Sequence, residues 1–155
     1  MMMKEIMHKW RRYANNISAT LAGQPIDLRV LNTPAEREKG FMFEPEPHDG
    51  FGLLFVHPEA RTLGFWMRNV PYDLDLVALD EDMRVIEILP LFADDENTVS
   101  TSFPCRYAIE LASGWCERNG VCIFVAIIKE LNLGKFSGLS FFIYPVCFKL
   151  WIAIA

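Results

Sequence analysis

Ile26, Leu28 and Val30 alternate with Asp27 and Arg29. A period of two predicts a strand with one buried face. The rhythm then changes at Thr33-Pro34-Ala35-Glu36. Thr33 and Glu36 have the spacing of a capping box, and Pro34 suits the first helical position. Gly40 supplies a left-handed stop, so one short helix is expected near residues 34–40. Pro45, Pro47 and Gly50 predict a loop. Phe51 to Val56 is continuously apolar and predicts a buried strand. Leu63 to Met67 is a second short apolar run. Leu74 to Leu79 and Arg84 to Leu89 are strand-like and flank Asp80-Glu81-Asp82-Met83, a hairpin pattern. Ala93 to Ser102 is polar and is expected as a solvated loop. Tyr107, Ile109 and Leu111 alternate with Ala108 and Glu110 and predict a further strand. Ser113 to Arg118 is expected as one helical turn, closed by Asn119-Gly120. Many short strands and one early helix imply a mainly β chain, a compact β-sandwich or barrel-like single domain. No βαβ rhythm and no internal repeat is visible.

Charge divides the chain into three regions. The 155 residues carry a net charge of −5. Residues 1–12 hold Lys4, Lys9, Arg11 and Arg12 against Glu5, and residues 13–120 hold 8 basic and 18 acidic residues. Residues 121–155 are weakly basic, and 25 of these 35 are hydrophobic. The positive mean hydropathy of +0.16 therefore belongs mainly to the tail. The expected organisation is a basic N-terminal arm (1–23), a mainly β domain (24–123) and an apolar tail (124–155). The acidic middle region argues against nucleic acid as a partner, because phosphate binding needs clustered Lys and Arg.

The N-terminus lacks the apolar stretch of a secretory signal, so a cytoplasmic location is expected. Residues 4–14 could instead form a basic amphipathic helix around Ile6, Met7, Trp10 and Tyr13. Three readings of the tail stand open. It is a membrane anchor over residues 139–155, interrupted by Pro145 and Lys149, a reading not favoured. Or Val121 to Ile128 closes the β domain. Or the tail is a frame-shifted end never selected for this fold.

No phosphate loop, dinucleotide fingerprint, nucleophile elbow or His-Glu-x-x-His motif occurs. Cys105, Cys116, Cys122 and Cys147 form no Cys-x-x-Cys pair, so no zinc site is expected, and four free thiols are. His8, His48 and His57 are scattered. Asp94-Asp95-Glu96 lacks the spacing of a calcium loop and reads as a solvated charge run. Neither a metal nor a cofactor is expected.

The dense feature is Gly64-Phe65-Trp66-Met67-Arg68-Asn69-Val70-Pro71-Tyr72-Asp73-Leu74-Asp75. Large apolar residues beside Arg68, Asn69, Asp73 and Asp75 fit a ligand pocket with an aromatic wall and a few orienting polar groups. The same residues also fit a structural reading. Trp66 is then core, Asn69 holds a turn, and Asp75 pairs with Arg68 across strands.

Several stretches together resemble the domain-of-unknown-function 192 family from about residue 24 to residue 120. They are Thr33 to Phe43, Gly52-Leu53-Leu54-Phe55, Phe65 to Pro71, Asp75-Leu76, and Ala108 to Trp115. The resemblance implies a mainly β domain of bacteria and archaea, often behind an export signal, with no established role. It places the family's polar signature on Arg37, Asn69, Asp75 and Glu110, with Trp66 and Met67 beside them. The sequence departs at Phe41, where Leu or Met is usual, and at Val70, where Thr is usual. It also lacks the Gly-Asp turn and closing strand after Gly120.

The resulting expectation is a non-catalytic binding domain for a small polar or anionic ligand. Arg37, Arg68 and Asn69 would hold it, with Trp66 as the wall and Met67, Asp75 and Glu110 as further candidates. One alternative is a small enzyme with Asp75 and Glu110 as an acid–base pair. The other is an interaction or membrane-associated assembly protein acting through its tail.

Overall fold

The computed structural model describes residues 16–123. The alternation at Ile26, Leu28 and Val30 lies in β2 (Gln24–Leu31), which forms a hairpin with β1 (Asn16–Leu21) across Ala22-Gly23. Residues 16–21 fall inside the segment read from sequence as part of a basic arm; here they are an edge strand. Its Ala19 and Leu21 are buried while Asn16 and Ser18 are exposed.

After β2 the capping box closes as its residues predict. Thr33 Oγ1 accepts from the Glu36 N–H at 3.3 Å, and Glu36 Oε2 accepts from the Thr33 N–H at 3.0 Å. This starts α1 (Pro34–Lys39), which ends at Gly40 with φ 47°. The chain then returns as β3 (Phe51–Arg61), parallel to β2. One βαβ unit therefore exists. Periodicity identified its three elements but not the parallel pairing.

The remaining elements are β4 (Gly64–Phe65), β5 (Leu74–Leu79), β6 (Val85–Leu91), β7 (Val99–Ser100), β8 (Cys105–Ala112) and α2 (Trp115–Arg118). The hairpin across Asp80 to Met83 is present as β5–β6. Asp80 Oδ1 accepts from the Asp82 and Arg84 N–H groups at 2.9 and 2.8 Å and holds its turn. The polar run after Leu91 is a loop except for β7, which pairs with β4. The chain is mainly β, with a six-stranded sheet in the order β1-β2-β3-β8-β5-β6.

Strand register assigns the two faces of this sheet. On β8, Glu110 lies opposite Leu53 of β3 and Leu76 of β5, whereas Leu111 lies opposite Gly52 and Asp75. Neighbouring residues of a strand point to opposite faces. One face therefore carries Leu28, Leu54, Val77, Ile109 and Leu111 in a buried cluster that Trp115 and Cys116 of α2 cover. The other carries Leu53, Phe55, Leu76 and Ala108 in a cluster that Phe41, Phe65 and Met67 cover. Gly52 is required by close approach. A Cβ there would lie 2.4 Å from the Glu110 carbonyl oxygen.

Cys105 and Cys116 are free and buried. Cys122 is disulfide-bonded, against the expectation of four free thiols, and Cys147 lies outside the described residues. No helix among the described residues is long and apolar enough to cross a membrane. The first part of the basic arm, with its alternative of an amphipathic helix over residues 4–14, and the three readings of residues 124–155 fall outside the described residues.

Candidate functional site

A cavity of about 500 Å³ opens on the second face of the sheet, roofed by α1 and Gly40. Phe41, Phe55, Phe65 and Met67 form its apolar wall, and Arg37, His57 and Arg61 its basic side. Glu110 lies at the sheet surface and is 5% exposed. A Cβ placed on Gly40 would sit 3.8 Å from Glu110 Oε2 and 3.6 Å from Phe55 Cζ, so the glycine leaves the carboxyl uncovered.

The basic side is built by an irregularity in β3. Val56 opposes Tyr107 and Arg61 opposes Cys105, so five steps along β3 match two along β8. Pro58 lies inside this stretch and cannot donate to a ladder. The excess chain carries His57 and Arg61 to the cavity beside Arg37 of α1. Arg37 Nη1 donates to the Val56 carbonyl at 3.0 Å, which ties the helix to the strand.

Ion pairing separates these arginines from most others in the structure, although Arg106, which donates to the His57 carbonyl and lies over the Tyr107 ring, also meets no carboxylate among the described residues. Arg29, Arg68, Arg84 and Arg118 each meet a carboxylate, and so does Lys39, which also lines the cavity. Arg37 and Arg61 meet none among the described residues, although the region around them is strongly acidic. Burial lowers the Arg37 pKa, and the Arg61 charge lowers it further. Burial and both arginine charges push His57 down to about 4, so it is neutral at pH 7.

Glu110 behaves in the opposite sense. Burial alone raises its carboxyl to about 8. No cation pairs with it, and it makes no side-chain hydrogen bond among the described residues. Among those residues no side-chain polar atom is both wholly buried and unpartnered, so the carboxyl opens onto the cavity. At pH 7 it is mostly protonated, able to donate one hydrogen bond and accept others.

The seven residues singled out from sequence do not all gather here. Arg37, Trp66, Met67 and Glu110 line the cavity. Trp66 is 36% exposed, with the Arg68 guanidinium 4.5 Å from its ring centroid. Arg68 itself pairs with Glu96 at 3.1 Å rather than with Asp75, and it does not line the cavity. Asn69 holds a turn through its backbone. Its φ is 58°, a left-handed value that asparagine tolerates, and the Val70 N–H donates to the Met67 carbonyl at 3.1 Å.

Asp75 lies on the other face. Its oxygens accept from the Gly114 and Cys116 N–H groups at 3.0 and 2.9 Å and fasten the start of α2. The acid–base pair of Asp75 and Glu110 is therefore corrected: one register step turns the two carboxyls to opposite sides of the sheet. Sequence reasoning missed Arg61, His57 and Gly40 as cavity residues. A proline inside an apolar strand was the one local signal that β3 leaves its ladder there.

The two histidines among the described residues do different things. His57 lines the cavity, whereas His48 packs against the Phe51 ring at 5.4 Å. Among the described residues no group of three or more His, Cys, Asp or Glu side chains is placed to hold a metal ion.

The family model of DUF192, described as uncharacterized ACR, matches residues 17–123. No curated protein matches the chain. Two solved structures share the fold. One is a protein of Sinorhizobium meliloti 1021 proposed to be a transcription regulator, 23% identical, with a TM-score of 0.68 over 73% of this chain and 91% of that one. The other is a protein of unknown function from Novosphingobium aromaticivorans DSM 12444, 26% identical. Its TM-score is 0.65 over 74% of this chain and 84% of that one.

Proposed function

The chain belongs to the DUF192 family, whose description assigns no reaction, and from its cavity we propose a non-catalytic binding domain for a small ligand bearing an anionic group. One observation carries this reading. Arg37 and Arg61 share a cavity wall without a carboxylate partner, inside a strongly acidic region. Arg37 is partly desolvated and is repelled by the exposed Arg61, and an anion placed between them relieves that repulsion. Arg37 spends one N–H on Val56, so most of its donors remain for a ligand. The phenylalanines and Met67 supply the apolar lining common to small-molecule sites. His57, neutral at pH 7, is a hydrogen-bond partner rather than a third charge.

The test is a thermal-shift and calorimetric titration of the full chain with inorganic phosphate, acetate and valerate. Anions are expected to raise the unfolding midpoint in a concentration-dependent way. The double variant R37M/R61M is expected to lose that response while keeping a cooperative unfolding transition. No stabilisation of the wild-type chain by any of the three anions would overturn the reading.

A further inference from the structure

An anion alone leaves the inner end of this cavity unexplained. Glu110 is the buried charged-type residue of the sheet, it has no partner, and it faces the same space as the two arginines. Burying a carboxyl without a partner is costly, and an apolar residue would fill that sheet position at lower cost. The cavity therefore has three zones. Its basic side is Arg37 and Arg61, its middle is aromatic, and its inner wall is a carboxyl beneath Gly40. The acidic and basic groups do not satisfy one another, because no ion pair within 4.0 Å joins Glu110 to either arginine. A ligand that complements all three zones must bear opposite charges at its two ends.

Resting on the binding reading above, we infer that the cavity takes a small zwitterion, with its ammonium group on Glu110, its acidic group on Arg37 and Arg61, and a short apolar spacer against the aromatic wall. The ammonium supplies three donors to a carboxylate that has none, and it is desolvated together with its partner. The acidic group takes the planar donors that Arg37 and Arg61 leave free. Burial, and after it the Glu44 carboxylate, holds Tyr72 protonated, so it adds no competing charge at neutral pH.

Binding an ammonium requires the ionised form of Glu110. The carboxyl holds its proton at pH 7 in the empty cavity, so binding must expel that proton to solvent. An acid without an amine has no such requirement. The two ligand classes thus differ in proton release as well as in affinity.

The experiment is calorimetry on the full chain at pH 7, with the aminoalkanoates from glycine to 5-aminovalerate. Each is compared with its acid lacking the amine, and 5-aminovalerate also with pentylamine and 5-hydroxyvalerate. The best aminoalkanoate is expected to bind at least about tenfold more tightly than each comparison compound. It is also expected to release a proton, read from titrations in buffers of different ionisation enthalpy. E110Q is expected to abolish proton release and bring the amino acid to within about twofold of its plain acid, while plain-acid binding persists. Equal binding of amino and plain or hydroxy acids by the wild-type chain would overturn the zwitterion and leave anion binding standing. Binding of no compound would overturn both. Should E110Q fail to fold, proton release by the wild-type chain decides alone, and its absence with the aminoalkanoates would overturn the inference.

Discussion

Strands β5 and β8 carry two carboxyls one register step apart, and the sheet sends them into different chemistry. On one face Asp75 receives two backbone N–H groups and closes α2 over a packed core. On the other, Glu110 receives none and opens onto a cavity edged by arginines that also lack carboxylate partners. The resemblance read from the sequence marked both acids. The difference shows that one such acid is an anchor and the other is not, and that hydrogen-bond partners separate the two. A partnered acid is explained by the fold it fastens; an unpartnered one facing a cavity is not, and the proposed ligand is our account of it.

This contrast is most sharply tested by pH. The folded-state pKa of Glu110 is raised from 4.5 to about 8, so the folded chain keeps a proton that the unfolded chain releases. Its contribution is complete below pH 4.5 and lost as pH rises to 8, a change on the order of 5 kcal/mol. E110Q should flatten that slope, and urea unfolding of both proteins across the window measures it. Equal slopes would place Glu110 with Asp75 as a satisfied acid. His57 runs the other way. Its pKa is depressed to about 4, so stability is lost as pH falls from 6.5 towards 4, and H57Q should remove that acid limb.

Next in size is the closed face. D75A leaves the Gly114 and Cys116 N–H groups without their acceptor and should destabilise the chain by about 3 kcal/mol. Ligand affinity should stay unchanged, and a loss of binding with retained stability would erase the distinction between the faces. A smaller effect is expected for G40A. Gly40 has φ 47° and ψ −131°, which L residues rarely adopt, so chemical denaturation should show a loss of about 2 kcal/mol. The new methyl would reach Phe55 and Glu110 at ordinary contact distances, so binding should weaken as well. The smallest effect belongs to R68A. Its pairing with Glu96 is exposed, so thermal unfolding should register a loss of at most about 0.5 kcal/mol.

Much of this architecture was readable before any coordinates. Alternation marked β2 and β8, the Thr33–Glu36 spacing marked α1, and the Asp80 turn marked the β5–β6 hairpin. What escaped reading has physical causes. Asn16–Leu21 alternates polar and apolar residues strictly, as an edge strand with one wet face does, and it escaped reading because it directly follows the basic segment and was grouped with it. The two-residue strands β4 and β7 are too short to show any period. Parallel pairing of β2 with β3 depends on the path of the connection, which periodicity does not encode. At the site, Arg37 and Glu110 were legible only through the family pattern. Arg61 and His57 were not, because their placement depends on the slip of β3 against β8. Arg68 and Asn69 were over-read: one sits on Trp66 and pairs with Glu96, the other sets a left-handed turn.

The strand that carries Glu110 is the last of the described strands along the chain, yet it lies inside the finished sheet, fourth from the β1 edge and third from the β6 edge, between β3 and β5. While a ribosome makes the protein, β1, β2 and β3 emerge first, then β5 and β6, and no strand yet bridges the two groups. Until β8 emerges, β3 and β5 each present a row of unsatisfied backbone donors and acceptors. That interval is when a nascent chain can pair with a neighbour instead of with itself. Insertion of β8 ends the exposure and delivers the cavity's inner wall in the same event, so the cavity is complete only once the sheet is closed.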